Sequence, residues 1–250
     1  MDLKDKVAIV TGGNGALGQR ICHALANAGS SVAVVYNQSR DSAESFVKEI
    51  EEAGVQAEAI QCNVADPRQV DAMVAKVLED FGRVDILVND AAYNKWIPFN
   101  DLDAMTYEEW MKIIDINLNG PMLCIKAVAP AMKRQGGGRI VNISSIAGLG
   151  PTGSSIPYAV SKAGLIHLTK CMAVGLAPDE ILVNCVAPGF MEGTRASANL
   201  DPAFQVRARE GSLLKRAADK DDVADQVLLF CKTDSITGQT LVIDSGREFH

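Results

Sequence analysis

Tyr158 and Lys162 are four positions apart in the segment PYAVSKAG, and on a helix introduced by Pro157 that spacing sets both side chains on one face. A free phenol titrates near ~10, too high for easy proton exchange at neutrality, and an adjacent ammonium favours the phenolate. A tyrosine paired in this way is suited to general acid/base work. The spacing alone is modest evidence: the chain has four tyrosines, lysine is common, and a surface tyrosine stacked on a lysine stem would look the same. Two further residues add weight. Ser145 follows the run RIVNI and precedes Tyr158 by 13 positions, so its hydroxyl could bond a substrate oxygen while Tyr158 exchanges the proton. Asn117, in IIDINLNG, is a polar residue on an otherwise apolar helix face, either part of the site or a satisfied core amide.

A second constellation lies near the N-terminus. The first apolar run ends in Thr11-Gly12-Gly13-Asn14-Gly15-Ala16-Leu17-Gly18, with helical periodicity from about Leu17 to Ala28. Gly13, Gly15 and Gly18 satisfy G-x-G-x-x-G, while Gly12, Gly15 and Gly18 satisfy T-G-x-x-G-x-x-G. Glycines between a strand and a helix let the backbone turn tightly against a pyrophosphate, whose charge the helix N-terminus stabilises. An ordinary glycine-rich turn is the alternative, and the strand-then-helix context argues against it. The second run ends at Tyr36-Asn37-Gln38-Ser39-Arg40, without the acidic residue that would select an unphosphorylated ribose. Asn37, Ser39 and Arg40 could donate to a 2′-phosphate, which favours NADP over NAD; Arg40 as a solvated charge at a helix start is nearly as good a reading.

These residues need a frame. Short apolar runs alternate with helical periodicity throughout: Val7 to Val10, Val32 to Val35, Ala57 to Gln61, Asp85 to Val88, Arg139 to Ile143, Ile181 to Val186 and Thr240 to Ile243. That pattern predicts stacked βαβ units, and the nearly all-apolar strands predict a parallel sheet covered on both faces. Asp66-Pro67 and Asp201-Pro202 read as helix starts, Thr106/Glu109 and Asp41/Glu44 have capping-box spacing, and Gly29, Gly54 and Gly82 fall where helices should stop. The fold expected is α/β, a Rossmann-type doubly wound seven-stranded parallel sheet in a single domain over 1–250. Its ligands belong beyond the carboxyl ends of the strands. There the loops after strands four, five and six supply Asn94, Trp96, Ile146, Leu149, Phe190 and Met191 as a largely apolar substrate pocket, Trp96 being as good a core residue as a wall. The stretch 190–216, and Ala196 to Arg216 within it, is expected to cover the site as a lid.

The composition bounds the rest. The chain has 250 residues, 48% of them hydrophobic, with 24 basic against 31 acidic residues and a net charge of −7. No basic stripe offers a footprint for nucleic acid. No segment reaches the ~20 apolar residues of a membrane span, and the N-terminus does not read as a signal peptide, so a cytoplasmic protein is expected. Six cysteines lie far apart and most have apolar neighbours, as buried thiols do; with His23, His167 and His250 they form no metal pattern.

Taken together, the glycine turn, Asn89-Asp90-Ala91-Ala92 after the fourth strand, Asn117, Ser145, Tyr158, Lys162 and Pro188-Gly189 after the sixth strand resemble the short-chain dehydrogenase/reductase family over essentially the whole length. The resemblance implies a catalytic tetrad of Asn117, Ser145, Tyr158 and Lys162, with Lys162 also holding the nicotinamide ribose and Asn117 anchoring a water that passes protons to it. It implies cofactor contacts at Gly12, Asn14, Gly15, Ala16, Leu17 and Gly18, at Asn63 and Val64 beside the adenine, at Asn89 and Ala91, and at Pro188, Gly189 and Thr194. A homotetramer, or a homodimer, is the usual assembly. The chain departs from the family in four places. Ala16 stands where the middle glycine is usual, Asp90-Ala91-Ala92 replaces N-A-G, Asn63 replaces an aspartate, and Thr194 comes one residue late, a shift that Gly193 is expected to absorb. Relatives that reduce acyl-carrier-protein substrates present a basic surface near the site; here Lys133 and Arg134 are accompanied by Asp179 and Glu180 in an acidic molecule, which weakens that substrate class. The leading expectation is a reductase of a small ketone, 3-oxoacyl compound or sugar. The alternatives are an NAD-linked polyol or sugar-alcohol dehydrogenase and a non-catalytic NAD(P)-binding sensor.

Overall fold

The computed structural model describes residues 1–249, and His250 lies outside them. The elements run β1 (Val7–Thr11), α1 (Ala16–Asn27), β2 (Ser31–Tyr36), α2 (Arg40–Glu51), β3 (Ala57–Gln61), α3 (Pro67–Phe81), β4 (Ile86–Asn89), α4 (Tyr107–Ile114), α5 (Gly120–Arg134), β5 (Gly138–Ile143), α6 (Ile156–Leu176), β6 (Ile181–Pro188), α7 (Arg195–Ala198), α8 (Pro202–Glu210), α9 (Lys220–Lys232) and β7 (Thr240–Ile243). The seven strands form one parallel sheet in the order β3-β2-β1-β4-β5-β6-β7. Alternate residues of each strand enter opposite cores. Ala8, Val10, Val32, Val34 and Val88 pack under α1, α2 and α9, whereas Val7, Ile9, Ala33, Val35 and Leu87 pack under α3 and α5. Both faces are therefore dry over the central strands, which is why those read as unbroken apolar runs, whereas the edge strands β3 and β7 are only partly buried.

The chain winds outward from β1 to β3 and then returns to β4 on the other side of β1. That reversal leaves a crevice beyond the carboxyl ends of β1 and β4, the place where such sheets hold ligands.

Several boundaries differ from expectation for local reasons. Asp85 precedes β4 rather than starting it: its carboxylate accepts from the Val7 N–H at 2.9 Å and from the Arg83 guanidinium at 2.6 Å and 2.7 Å. The Asp41/Glu44 capping box does not form. Ser39 takes the N-cap position in the left-handed region at φ 65, Asp41 falls inside the first turn, and Glu44 pairs with Arg40. Asp66, Thr106 and Asp201 do cap α3, α4 and α8. Between α4 and α5 the helix widens into a π turn over Asp115–Asn119. Among the described residues no helix is long and apolar enough to cross a membrane, and no group of His, Cys, Asp or Glu could hold a metal ion. All six cysteines are free thiols, and Cys171 alone is exposed.

Candidate active site

The glycine turn is built for close approach. A Cβ on Gly18 would lie 2.3 Å from the Gly12 carbonyl oxygen, so α1 can start against the turn only if residue 18 has no side chain. Gly12 is left-handed at φ +69, and a Cβ there would meet the Ala91 Cα at 3.0 Å. Thr11 stitches the turn to the loop after β4, its Oγ1 accepting from the N–H groups of Asp90 and Ala91, each at 3.1 Å. Gly15 is the extended N-cap of α1 and Ala16 its first residue, so the alanine substitutes without strain.

Beyond this turn opens a cleft of about 490 Å³. Gly12, Asn14, Gly15, Ala16 and Leu17 line one side, Asn37 the tip of β2, Asn63 and Val64 the end of β3, and Ala91, Tyr158, Lys162 and Thr194 the far end. The bare backbone at the start of α1 beside a cleft of this size suits a dinucleotide pyrophosphate. Of the other residues expected at the cofactor, Ser39 lies at the mouth of the cleft, 3.4 Å from Arg195 Nη2, and the rest stand elsewhere. Gly18 is buried in the helix–strand contact. Asn89 is buried, its amide donating to Asn142 Oδ1 at 2.8 Å, and Asn142 in turn donates to Thr169 on α6 at 2.9 Å. Arg40 points to solvent with its Nε 2.6 Å from Glu44. Pro188 and Gly189 line a second, smaller cavity of about 110 Å³.

The two cavities meet at Tyr158, Asn94, Ser144, Met191, Thr194 and Ala196, which line both. Ser145, Ile146, Phe190 and Met191 wall the smaller one as expected, and its lining is mostly apolar. Trp96 and Leu149 do not reach it. Trp96 instead backs the wall, its ring 5.3 Å from that of Phe204. The lid covers this cavity with Leu200, Phe204 and Ala208, and Thr152, Gly153, Ser154 and Arg247, which no motif marked, complete its lining. Asp201-Pro202 marked α8 as a helix, but nothing in the sequence marked which face it turns inward. The Ser154 hydroxyl is buried with no hydrogen-bond partner. Gly193 turns left-handed at φ +69 and brings Thr194 to the cleft, where it caps α7 by accepting from the Ser197 N–H at 2.9 Å.

The catalytic candidates are held by packing between β5 and α6. Ser145 begins a short 3-10 turn (Ile146–Gly148) that lies flat on α6. A Cβ on Gly148 would come within 2.7 Å of the Lys162 carbonyl group. Lys162 is 3% exposed, and its Nζ donates to the Ile143 carbonyl at 2.8 Å. Asn117 sits in the π turn, a feature that recurs at functional sites. Its amide donates to the Tyr93 carbonyl at 2.9 Å and to Ser161 Oγ at 3.2 Å, and its oxygen accepts from the Tyr93 N–H at 2.8 Å. Asn117 therefore ties the loop after β4 to α6, and it does not line either cavity.

The electrostatics correct one expectation. Lys162 Nζ lies 5.7 Å from the Tyr158 ring centroid and does not lower the phenol. Burial pushes Tyr158 up to about 12, with the Ser145 hydroxyl pulling it down and Asp90 pushing it further up. Burial likewise drives Lys162 down to about 8, against the charge of Asp90. Burial raises Asp90 itself to about 7, opposed by Lys162. At neutral pH Tyr158 is a neutral phenol, the form a proton donor must have.

A family model described as short chain dehydrogenase matches residues 6–204. The 3-oxoacyl-[acyl-carrier-protein] reductase FabG of Staphylococcus epidermidis is 41% identical over 244 residues, 97% of this chain and 98% of that one. An NADPH-dependent 3-quinuclidinone reductase from Rhodotorula rubra superposes with TM-score 0.91 at 27% identity, over 98% of this chain and 92% of that one. A 7α-hydroxysteroid dehydrogenase solved with NADH and 7-oxo glycochenodeoxycholic acid gives TM-score 0.90 at 30% identity, over 100% and 98%.

Proposed function

The chain belongs to the short-chain dehydrogenase/reductase family of NAD(P)-dependent oxidoreductases acting on carbonyl and CH–OH groups, and we propose that it reduces a ketone of 3-oxoacyl type with NADPH. The observation that carries this reading is the position of Tyr158 at the junction of a dinucleotide-sized cleft and a small apolar cavity. When bound, the nicotinamide supplies the hydride for the carbonyl carbon. The glycine turn and the start of α1 would hold the pyrophosphate, Asn63 and Val64 the adenine side, and Thr194 the nicotinamide end. Tyr158 gives its proton to the substrate oxygen, Ser145 donates a hydrogen bond to that oxygen, and Lys162, which lines the cleft beside Tyr158, would hold the nicotinamide ribose. Asn117 acts by holding Ser161 and the Tyr93 loop, and so α6, in register.

The substrate class follows from the cavity and from the relatives. A volume of about 110 Å³ lined mostly by apolar groups suits a short acyl chain. Ser145, Ser154 and Tyr158 offer hydroxyls on the same wall, which suits the carbonyl oxygen at the head of such a chain. The Staphylococcus relative is named for a 3-oxoacyl substrate on its carrier protein. On this chain Lys133 is already paired with Asp179 at 2.8 Å, so the small ketone itself is the better assignment than a protein carrier. NADPH is preferred because the tip of β2 carries no acid; one structural relative is NADPH-dependent, the other was solved with NADH. Six free thiols suit a reducing compartment, and we place the reaction in the cytoplasm.

The test is turnover of NADPH with a short 3-oxoacyl thioester, followed as loss of nicotinamide absorbance. Tyr158→Phe should lower kcat by about 10²–10⁴-fold with little change in the Kd for NADPH. Full activity in that variant would overturn the mechanism.

A further inference from the structure

Arg195 is the first residue of α7, at the start of the lid, and lines the large cleft. Its guanidinium crosses the mouth of that cleft, with Nη2 donating to Ser39 Oγ at 3.4 Å. The two ends of this bridge belong to parts of the fold 156 positions apart in sequence. Neither end has another engagement of the same kind. Ser39 is the N-cap of α2 yet its hydroxyl does not cap the helix, and its backbone is held left-handed at φ 65, a conformation costly for a serine. Among the described residues Arg195 forms no ion pair. The other cation at this tip, Arg40, is bound to Glu44. Beside the bridge, Gln38 lines the cleft with its carbonyl accepting from the Asn14 amide at 3.0 Å, and Asn37 lines it with its carbonyl accepting from Gln61 at 3.1 Å, so the tip is held rigid.

Resting on the reading that this cleft holds NAD(P), we propose that the 2′-phosphate of NADP is gripped between Arg195 of the lid and Ser39 at the tip of β2, so that this phosphate draws the lid shut over the substrate cavity. An exposed guanidinium and a hydroxyl brought within 3.4 Å of each other at the mouth of the cleft, with no carboxylate paired to the guanidinium, are the groups a phosphate monoester takes. The coupling follows from the lid's construction. Ala196, Ser197 and Leu200, next along the chain from Arg195, wall the small cavity, and the Asn94 amide holds the Ala196 carbonyl at 3.1 Å. A phosphate that fixes Arg195 thus fixes the wall of the substrate site, whereas NAD, with a hydroxyl in its place, offers Arg195 no charge to hold.

Two measurements test this on the whole chain. The first is the Kd of NADPH and of NADH, read by nucleotide fluorescence, for the parent protein and Arg195→Gln. The variant is expected to weaken NADPH about tenfold or more and to leave NADH within about twofold, the NADH value also showing that it is folded. The second is amide hydrogen exchange over 195–210, where NADPH should protect the lid more than NADH does, a difference absent in Arg195→Gln. Equal weakening of both nucleotides would assign Arg195 to the shared pyrophosphate and overturn the clasp. So would unchanged NADPH affinity, or a loss on Arg40→Gln in its place. A parent protein that binds neither nucleotide would remove the cofactor reading and the clasp together, whereas normal binding with a silent variant removes only the clasp.

Discussion

Asp90 stands among the residues lining the large cleft, where short-chain dehydrogenases usually carry asparagine, and it acts electrostatically on the two groups that move the proton. Burial holds its carboxyl up to about 7, with Lys162 and Tyr158 on α6 and Cys22 on α1 as the titratable groups around it. As pH rises through that value Asp90 becomes anionic, and the new charge favours the ammonium of Lys162 and disfavours the phenolate of Tyr158. Both effects keep the proton-donating form to higher pH. Asp90→Asn removes them, so Lys162 should lose its proton below its present value of about 8 and the alkaline limb of kcat/KM for ketone reduction should move to lower pH. A pH profile identical to that of the parent would show that Asp90 does not act on the pair. The sequence pointed to Tyr158, Lys162 and Ser145 because a four-residue helical spacing puts the first two on one face and because their joint order resembles the family's. It could not indicate that burial, and not the ammonium, governs Tyr158, since desolvation depends on what covers the phenol. Trp96 and Leu149 were misplaced for a related reason: loop residues next to a site in sequence need not face it, and here Trp96 props Phe204 from behind.

At the scale of elements, the strands were legible because a parallel sheet dry on both faces demands β-branched runs, and each expected run lies in or overlaps an observed strand. Their ends were less so. Asp85 looked like the start of a strand but serves as an acceptor for the β1 backbone, and Ser39 begins α2 through a left-handed turn that its residue type does not announce. The π turn at Asp115–Asn119 leaves no periodicity to read, yet it presents Asn117 to the Tyr93 loop. The seating of the Ser145 turn on α6 is another feature that only packing reveals, and it makes a prediction. Gly148→Ala would put a methyl group 2.7 Å from the Lys162 backbone, against atoms fixed by helix hydrogen bonds. Overpacking of this kind costs about 1–3 kcal/mol, so the melting temperature should fall. Because the turn must lift away from α6, Ser145 moves with it, and kcat should drop while the Kd of NADPH stays close to the parent value. Unchanged melting and turnover together would mean that the contact is not rigid.

At the scale of the molecule, α6 has two opposed duties. Tyr158 and Lys162 turn toward the cleft, while Val160, Ala163, His167, Cys171 and Val174 form an exposed stripe about half a turn away. Val174 is 80% exposed and Val160 44%, on a helix that is apolar on nearly every side. A helix of that character calls for cover, and a stripe at intervals of seven, four and three positions suits an antiparallel copy of itself. We propose that this stripe pairs two copies of the chain, α6 against α6, in the homotetramer or homodimer that the family resemblance implies. The fold itself depends on burial within one chain, so separation of the subunits should leave the secondary structure in place. What separation would remove is support behind the catalytic helix, on the face opposite Tyr158. Val174→Asp sets a carboxylate in the stripe, where pairing with a second copy would bring two like charges together and desolvate both. Sedimentation velocity should then show a smaller species than for the parent, with a melting temperature that no longer rises with protein concentration. If Val174→Asp sediments as the parent does, the seam lies elsewhere and the exposed stripe of α6 has another use.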